Sequence, residues 1–206
     1  FYYAYHFDNS QVASYLNKRS KNIEIIDDIY TSSTQNVDGT IKSLCFESGL
    51  ELDVDLVIDC SGFKKLIIGD VFKTKWISYQ DNLPVNRAMP FFLDIKEENY
   101  INYTLAWAQK YGWMWQIPTQ ERIGAGYVYC DQFISPDQAQ EEIEKVLGHK
   151  IEPRRDIKFN SGRLEKYWVK NCLAIGLSSG FLEPLEATSI HSTLIQIILF
   201  ATEYLK

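Results

Sequence analysis

The stretch "GLSSGFLEPLEATSIHSTL", Gly176 to Leu194, concentrates the residues best suited to chemistry. Glu183 and Glu186, three apart, flank Pro184 in an otherwise apolar loop, and a run of hydroxyl residues that includes Thr188 and Ser189 opens a long apolar segment. A helix that starts there leaves backbone N–H groups without intrahelical partners, and its dipole favours negative charge, so the position suits an anion. The plainer alternative is a cap, in which Thr188 or Ser189 closes the helix start and Glu186 complements the dipole. Helix physics alone favours the cap, since such capping residues are common at helix starts.

A second pair is Trp113 and Trp115 in "GWMWQIP". Two apart on a strand, they project onto one face, where two indoles make a rigid wall or simply a core stripe. Each indole N–H needs a partner if buried. "GAG", Gly124 to Gly126, is followed by "YVYC" rather than by a helix, so it is not a dinucleotide loop. It reads as small residues in a strand that something passes closely. His6, His149 and His191 are scattered, and no Gly-x-Ser-x-Gly elbow or Cys–His arrangement appears, so neither a metal site nor a nucleophilic triad is expected.

The elements that must position these residues follow from periodicity. Val12 to Lys21 has helical spacing behind possible caps Asn9 and Ser10. From Ile23 to Ile58, turn signals at Asp38-Gly39 and Ser48-Gly49 separate three extended segments. "DLVID", ending in Cys60-Ser61-Gly62, reads as a buried parallel strand that feeds a tight turn and needs neighbours reached by crossovers. "MPFFLDI", "NYTLAWA", "GWMWQIP" and "RIGAGYVYC" read as an antiparallel sheet. Ser135 to Gly148 carries start and stop signals of a surface helix. "RDIKFNSGRL" is expected as one strand, "CLAIGL" as a buried strand, and Thr188 to Lys206 as a final helix whose "IQIILF" is buried. That run is too short for a membrane span.

The 206 residues can bury a proper core, and a formal charge of −6 without a basic stripe argues against nucleic acid or an anionic membrane as partner. Four cysteines without a C-x-x-C pair suggest neither zinc nor a disulfide framework, which fits a reducing cytoplasm. The chain opens on Phe1 and is expected to be a fragment that lacks its N-terminal part.

Together, "HFDNSQVASYL", "DLVIDCSGF", "GWMWQIP", "GYVY" and "IGLSSGFLEPLEATSI" resemble the flavin-dependent tryptophan halogenases in order and spacing over essentially the whole chain. The resemblance implies an α/β (α+β mixed), FAD/NAD(P)-binding, flavin-monooxygenase-like fold, partial here, with an antiparallel sheet layer. Residues 1–75 and 165–206 would form the FAD-binding part of a single domain, and 76–164 the sheet on the substrate side. It further implies FADH2 from a separate flavin reductase, oxidation of chloride or bromide to hypohalous acid, and halogenation of a small aromatic, tryptophan- or indole-like substrate in the cytoplasm. A homodimer is compatible with it. The alternative functions are a flavin monooxygenase-like relative that does not halogenate and an inactive FAD-binding protein.

By position, the resemblance makes Glu186 the catalytic glutamate and Thr188 with Ser189 the halide-binding pair. Leu177 and Ile190 match residues at the isoalloxazine end of FAD, and Ile29 the strand position at the adenine end. Trp113 and Trp115 match the wall between flavin and substrate, so the anion reading of the helix start and the wall reading of the indoles prevail. Ala187 departs from the family's usual serine, and Ser189 from its glycine. The Gly-rich FAD loop and the tunnel lysine precede Phe1 in the family, and its C-terminal helical part lies beyond this sequence.

Overall fold

The computed structural model describes residues 5–96, 101–182 and 188–205, so Glu183 and Glu186 lie outside the described residues. The chain forms two compact units, one of residues 1–24 and 84–159, the other of 25–83 and 160–206.

The first unit is built on a five-stranded antiparallel sheet. Its strands are β6 (Arg87–Leu93), β7 (Leu105–Ala108), β8 (Gly112–Pro118), β9 (Ile123–Tyr129) and β10 (Ile157–Lys158), in the order β10-β6-β9-β8-β7. Alternation sends Met89, Phe91, Met114, Ala125, Tyr127 and Tyr129 to one face, where they pack with Ala139 and Ile143 of helix α2 (Pro136–Leu147). The sequence specifies that helix at both ends. Ser135 and Gln138 form a capping box, Pro136 begins the first turn, and Gly148 closes it in the left-handed region at φ 76°.

Helix α1 (Asn9–Arg19) belongs to the same unit and starts earlier than its apolar spacing suggests, because Asp8 is the N-cap, accepting from the Ser10 amide at 2.8 Å. Asp8 also pairs with Arg122, and His6 Nδ1 lies 2.8 Å from the Pro118 carbonyl oxygen, which joins the helix to the turn after β8.

The second unit contains three small sheets. The hairpin signals form the antiparallel meander β1 (Tyr30–Gln35), β2 (Ile41–Phe46) and β3 (Glu51–Asp53). Gly39 and Gly49, at φ 83° and 88°, close its turns. The expected parallel strand is β4 (Val57–Asp59), paired in parallel with β13 (Cys172–Ala174), whose other neighbour is the short antiparallel β12 (Trp168–Val169). Ile41, Val57, Ile68, Leu164, Cys172 and Ala174 form the core beneath.

Two expectations need correction. "RDIKFNSGRL" is not one strand: β10 pairs with β6 in the first unit, while β11 (Gly162–Leu164) lies between β5 (Trp76–Ser78) and β14 (Gly180–Phe181) in the second. The three residues between them are too few to register in a hydrophobic pattern. The last helix, α3 (Thr188–Glu203), forms as expected but is not buried. Ile195, Ile197 and Ile198 are 43%, 47% and 53% exposed, and the helix turns inward through Ser189, Thr193, Gln196 and Phe200. That stripe has helical spacing and is mostly polar.

Candidate active site

Strands β4 and β13 run in parallel and end side by side, Asp59 opposite Ala174. The crevice beyond the carboxyl ends of parallel strands is where sheets of this kind take ligands. Each strand passes into a single 3-10 turn, Gly62–Lys64 after β4 and Gly176–Ser178 after β13. Gly62 and Gly176 stand at φ 70° and 68°, a region that L side chains rarely enter, so both turns depend on glycine.

Asp59 ties the two turns together. Its buried carboxylate accepts from the Ser61 amide (2.9 Å) and hydroxyl (2.6 Å), from the amides of Ile67 (3.0 Å) and Ile68 (2.9 Å), and from the Ser178 hydroxyl (3.3 Å). The Gly62 amide in turn donates to Ser178 Oγ at 2.8 Å. Burial works against the charged carboxyl, but the Ser61 hydroxyl and the backbone amides outweigh it and hold its pKa below the ordinary carboxylate value. Asp59 therefore stays ionised as a fixed internal anchor. Sequence reasoning passed over it, although a lone acid ending an apolar strand was a visible signal.

On the far side of the Gly176 turn, the start of α3 borders a cavity of about 240 Å³. Its lining includes the hydroxyl residues Tyr79, Ser179, Thr188, Ser189, Ser192 and Thr193, with Arg163 as the one charged side chain and no carboxylate among the described residues. A pocket of donors at a helix N-terminus, with a cation and, among the described residues, no competing anion, is electrostatically suited to a small anion. Ser189 Oγ is shielded from solvent and has no hydrogen-bond partner, an unused donor at this wall. Thr193 Oγ1 donates to the Ser189 carbonyl at 2.7 Å.

The sequence-predicted residues distribute as follows. Thr188 and Ser189 line the cavity, and Ile190 follows them on the exposed side of α3. Leu177 sits in the turn between two anchored neighbours, Gly176 and Ser178, with its side chain partly exposed. Ile29 immediately precedes β1 and is exposed, its carbonyl accepting from the Glu47 amide at 2.9 Å. Leu177 and Ile190 are exposed apolar side chains next in sequence to the cavity-lining Gly176 and Ser189, whereas Ile29 is not among the residues that line this cavity. Glu186 lies outside the described residues.

Trp113 and Trp115 belong to the other unit. They project from β8 on the face opposite Met114 and α2, with ring centroids 6.1 Å apart and planes tilted by 59°. Gly126, paired with Trp115 across β8 and β9, makes the arrangement possible: a Cβ there would stand 2.1 Å from the Trp115 ring. What passes closely over "GAG" is thus the indole of the neighbouring strand. The Trp113 N–H is shielded from solvent and unpartnered. Among the described residues, no group of three or more His, Cys, Asp or Glu side chains is placed to hold a metal ion.

Residues 1–202 match the family model described as tryptophan halogenase. The chain is 36% identical over 198 residues to tryptophan 7-halogenase KtzQ of Kutzneria sp. (strain 744), covering 92% of this chain and 37% of that protein. It is 34% identical over 208 residues to tryptophan 6-halogenase SttH of Streptomyces toxytricini, covering 96% of this chain and 40% of that one. Among solved structures, BrvH, a flavin-dependent halogenase from Brevundimonas sp. BAL3, superposes with a TM-score of 0.89 at 35% identity, over 95% of this chain and 41% of that one. The chain thus spans about two fifths of the length of these relatives.

Proposed function

The chain belongs to the tryptophan halogenase family, and on that footing we propose that the whole protein is a flavin-dependent halogenase acting on an aromatic, tryptophan- or indole-like substrate. The observation that carries this reading is the cavity at the start of α3, lined by hydroxyl donors and Arg163 and free of carboxylates among the described residues. Chloride or bromide is the anion it would hold.

In this reading the backbone N–H groups of Thr188 and Ser189 bind the halide, strengthened by the helix dipole. Leu177 and Ile190 flank the isoalloxazine, and Ile29 stands at the adenine end of FAD. Reduced FAD bound there would activate oxygen, the oxidant that takes two electrons from the halide to give hypohalous acid. Asp59 and Ser178 keep the Gly176–Ser178 turn rigid beneath it. Trp113 and Trp115 form a wall that shields the substrate from oxygen chemistry at the flavin. Glu186 orients the halogenating species and accepts the ring proton, work that needs a well-placed carboxylate. A separate flavin reductase is the partner, the cytoplasm the compartment, and a homodimer is compatible with the reading.

Replacing Glu186 tests the assignment. In the full-length protein Glu186→Gln is expected to lower product formation at least about 100-fold, the usual contribution of a general base, and to leave FAD affinity unchanged. Retained halogenation would refute the role given to Glu186.

A further inference from the structure

Helix α3 is an apolar segment with one amide in its middle, Gln196. Apolar contact seats its C-terminal end, where Phe200, and Tyr204 just past the helix, pack on Trp168 with ring centroids 6.0 and 4.5 Å away, but its isoleucines and leucines face outward and no residue of it is fully buried. Its inward stripe is Ser189, Thr193, Gln196 and Phe200, and Gln196 makes the specific bonds. Gln196 Oε1 accepts from the Gly176 amide at 3.0 Å, and Nε2 donates to Ser179 Oγ at 2.9 Å. The Ser179 hydroxyl then donates to the Gly176 carbonyl at 2.8 Å. Only this orientation of the amide serves both partners, because the Gly176 N–H requires an acceptor. A cyclic network of three groups therefore closes on one glycine in the left-handed region.

The opposite end of the same turn is fastened by Ser178 to Asp59 and Gly62. Leu177 is suspended between these two anchors. Gln196 also lies two turns along the helix whose first residues border the cavity, so a single side chain joins the turn to the helix start.

We infer that Gln196 is a positioning residue that fixes the Gly176–Ser178 turn against α3, setting the place of the flavin-facing Leu177 relative to the halide-facing Thr188 and Ser189. Gln196 itself borders the cavity, but both ends of its amide are engaged by Gly176 and Ser179, so it acts on the site through the turn it holds. The inference rests on the proposed reading of this unit as the flavin and halide site. It adds a residue to which no role attaches by resemblance and which acts through backbone geometry.

The test uses the full-length protein with two replacements, Gln196→Met, of similar volume but without the amide, and Gln196→Glu, which keeps an acceptor for the Gly176 amide and can take the Ser179 hydroxyl as donor. FAD affinity is read by fluorescence titration and folding by thermal melting, with affinity measured well below the transition. Gln196→Met is expected to weaken FAD binding about tenfold, the size of one to two net hydrogen bonds, and Gln196→Glu to restore it to within about threefold of wild type. Wild-type FAD affinity in Gln196→Met overturns the inference, whether or not melting drops, because the network would then serve stability alone. Equal weakening in both variants overturns it too, since the acceptor oxygen would not be what matters. Failure of the wild-type protein to bind FAD would instead overturn the proposed function.

Discussion

Trp115 can lie flat on its neighbouring strand only because residue 126 has no side chain. A methyl group at 126 meets ring carbons at 2.1 Å, well inside contact distance, and a ring packed in a sheet cannot yield without leaving its rotamer. Gly126→Ala is therefore expected to destabilise the fold by about 1–3 kcal/mol, the usual cost of overpacking, and to shift tryptophan emission as Trp115 is displaced. Unchanged melting together with unchanged emission would show that the indole does not sit on Gly126. The residue-level chemistry was legible in part. The types and spacing of Trp113, Trp115, Thr188 and Ser189 were evident, whereas the ties from Gln196 to Gly176 and from Asp59 to Ser178 were not, because those partners lie 20 and 119 positions apart in sequence. Local pattern carries no record of such pairings.

At the scale of elements, legibility followed local signals. Helix α2 was readable from Ser135, Pro136 and Gly148, and the meander from Asp38-Gly39 and Ser48-Gly49, since capping and turn preferences act within a few residues. Burial of α3 was misjudged because hydrophobicity states a preference for burial but does not supply the surface that provides it. Helix α2 also carries a testable electrostatic device near its end. Glu144 accepts from Lys150 Nζ (2.6 Å), Gln140 Nε2 (2.8 Å) and the Ile151 amide (3.3 Å). The Lys150 ammonium first, then Gln140 and the amide, bring its pKa down to about 2 from an ordinary 4.5. A depressed carboxylate stabilises the fold above its unfolded pKa, and this contribution is lost as pH falls through the folded value. Glu144→Gln is thus expected to melt below wild type at pH 7, and the gap should close between about pH 4.5 and pH 2. A gap that is constant with pH would mean that charge on Glu144 contributes nothing.

At the scale of the molecule, the two units divide the expected roles between an antiparallel sheet that carries the paired indoles and a smaller-sheeted unit that carries the glycine turns and the anion-suited cavity. Among the described residues no helix is long and apolar enough to cross a membrane. Helix α1 clusters with the five-stranded sheet rather than with residues 25–75, so the compact units do not follow the order of the chain. Order along the chain was all that sequence could use, and Asp8 with Arg122 and His6 with Pro118 are what link the helix to the sheet. The central claim is that this framework serves halide oxidation at a flavin for transfer to an aromatic ring. The most direct measurement supplies the full-length protein with FAD, NADH, a flavin reductase, bromide and a panel of indoles, and follows products by mass spectrometry. The account predicts a brominated indole whose formation requires both bromide and the reductase. Oxidation of the reduced flavin with no halogenated product from any substrate would contradict it and point to a flavoprotein that does not halogenate.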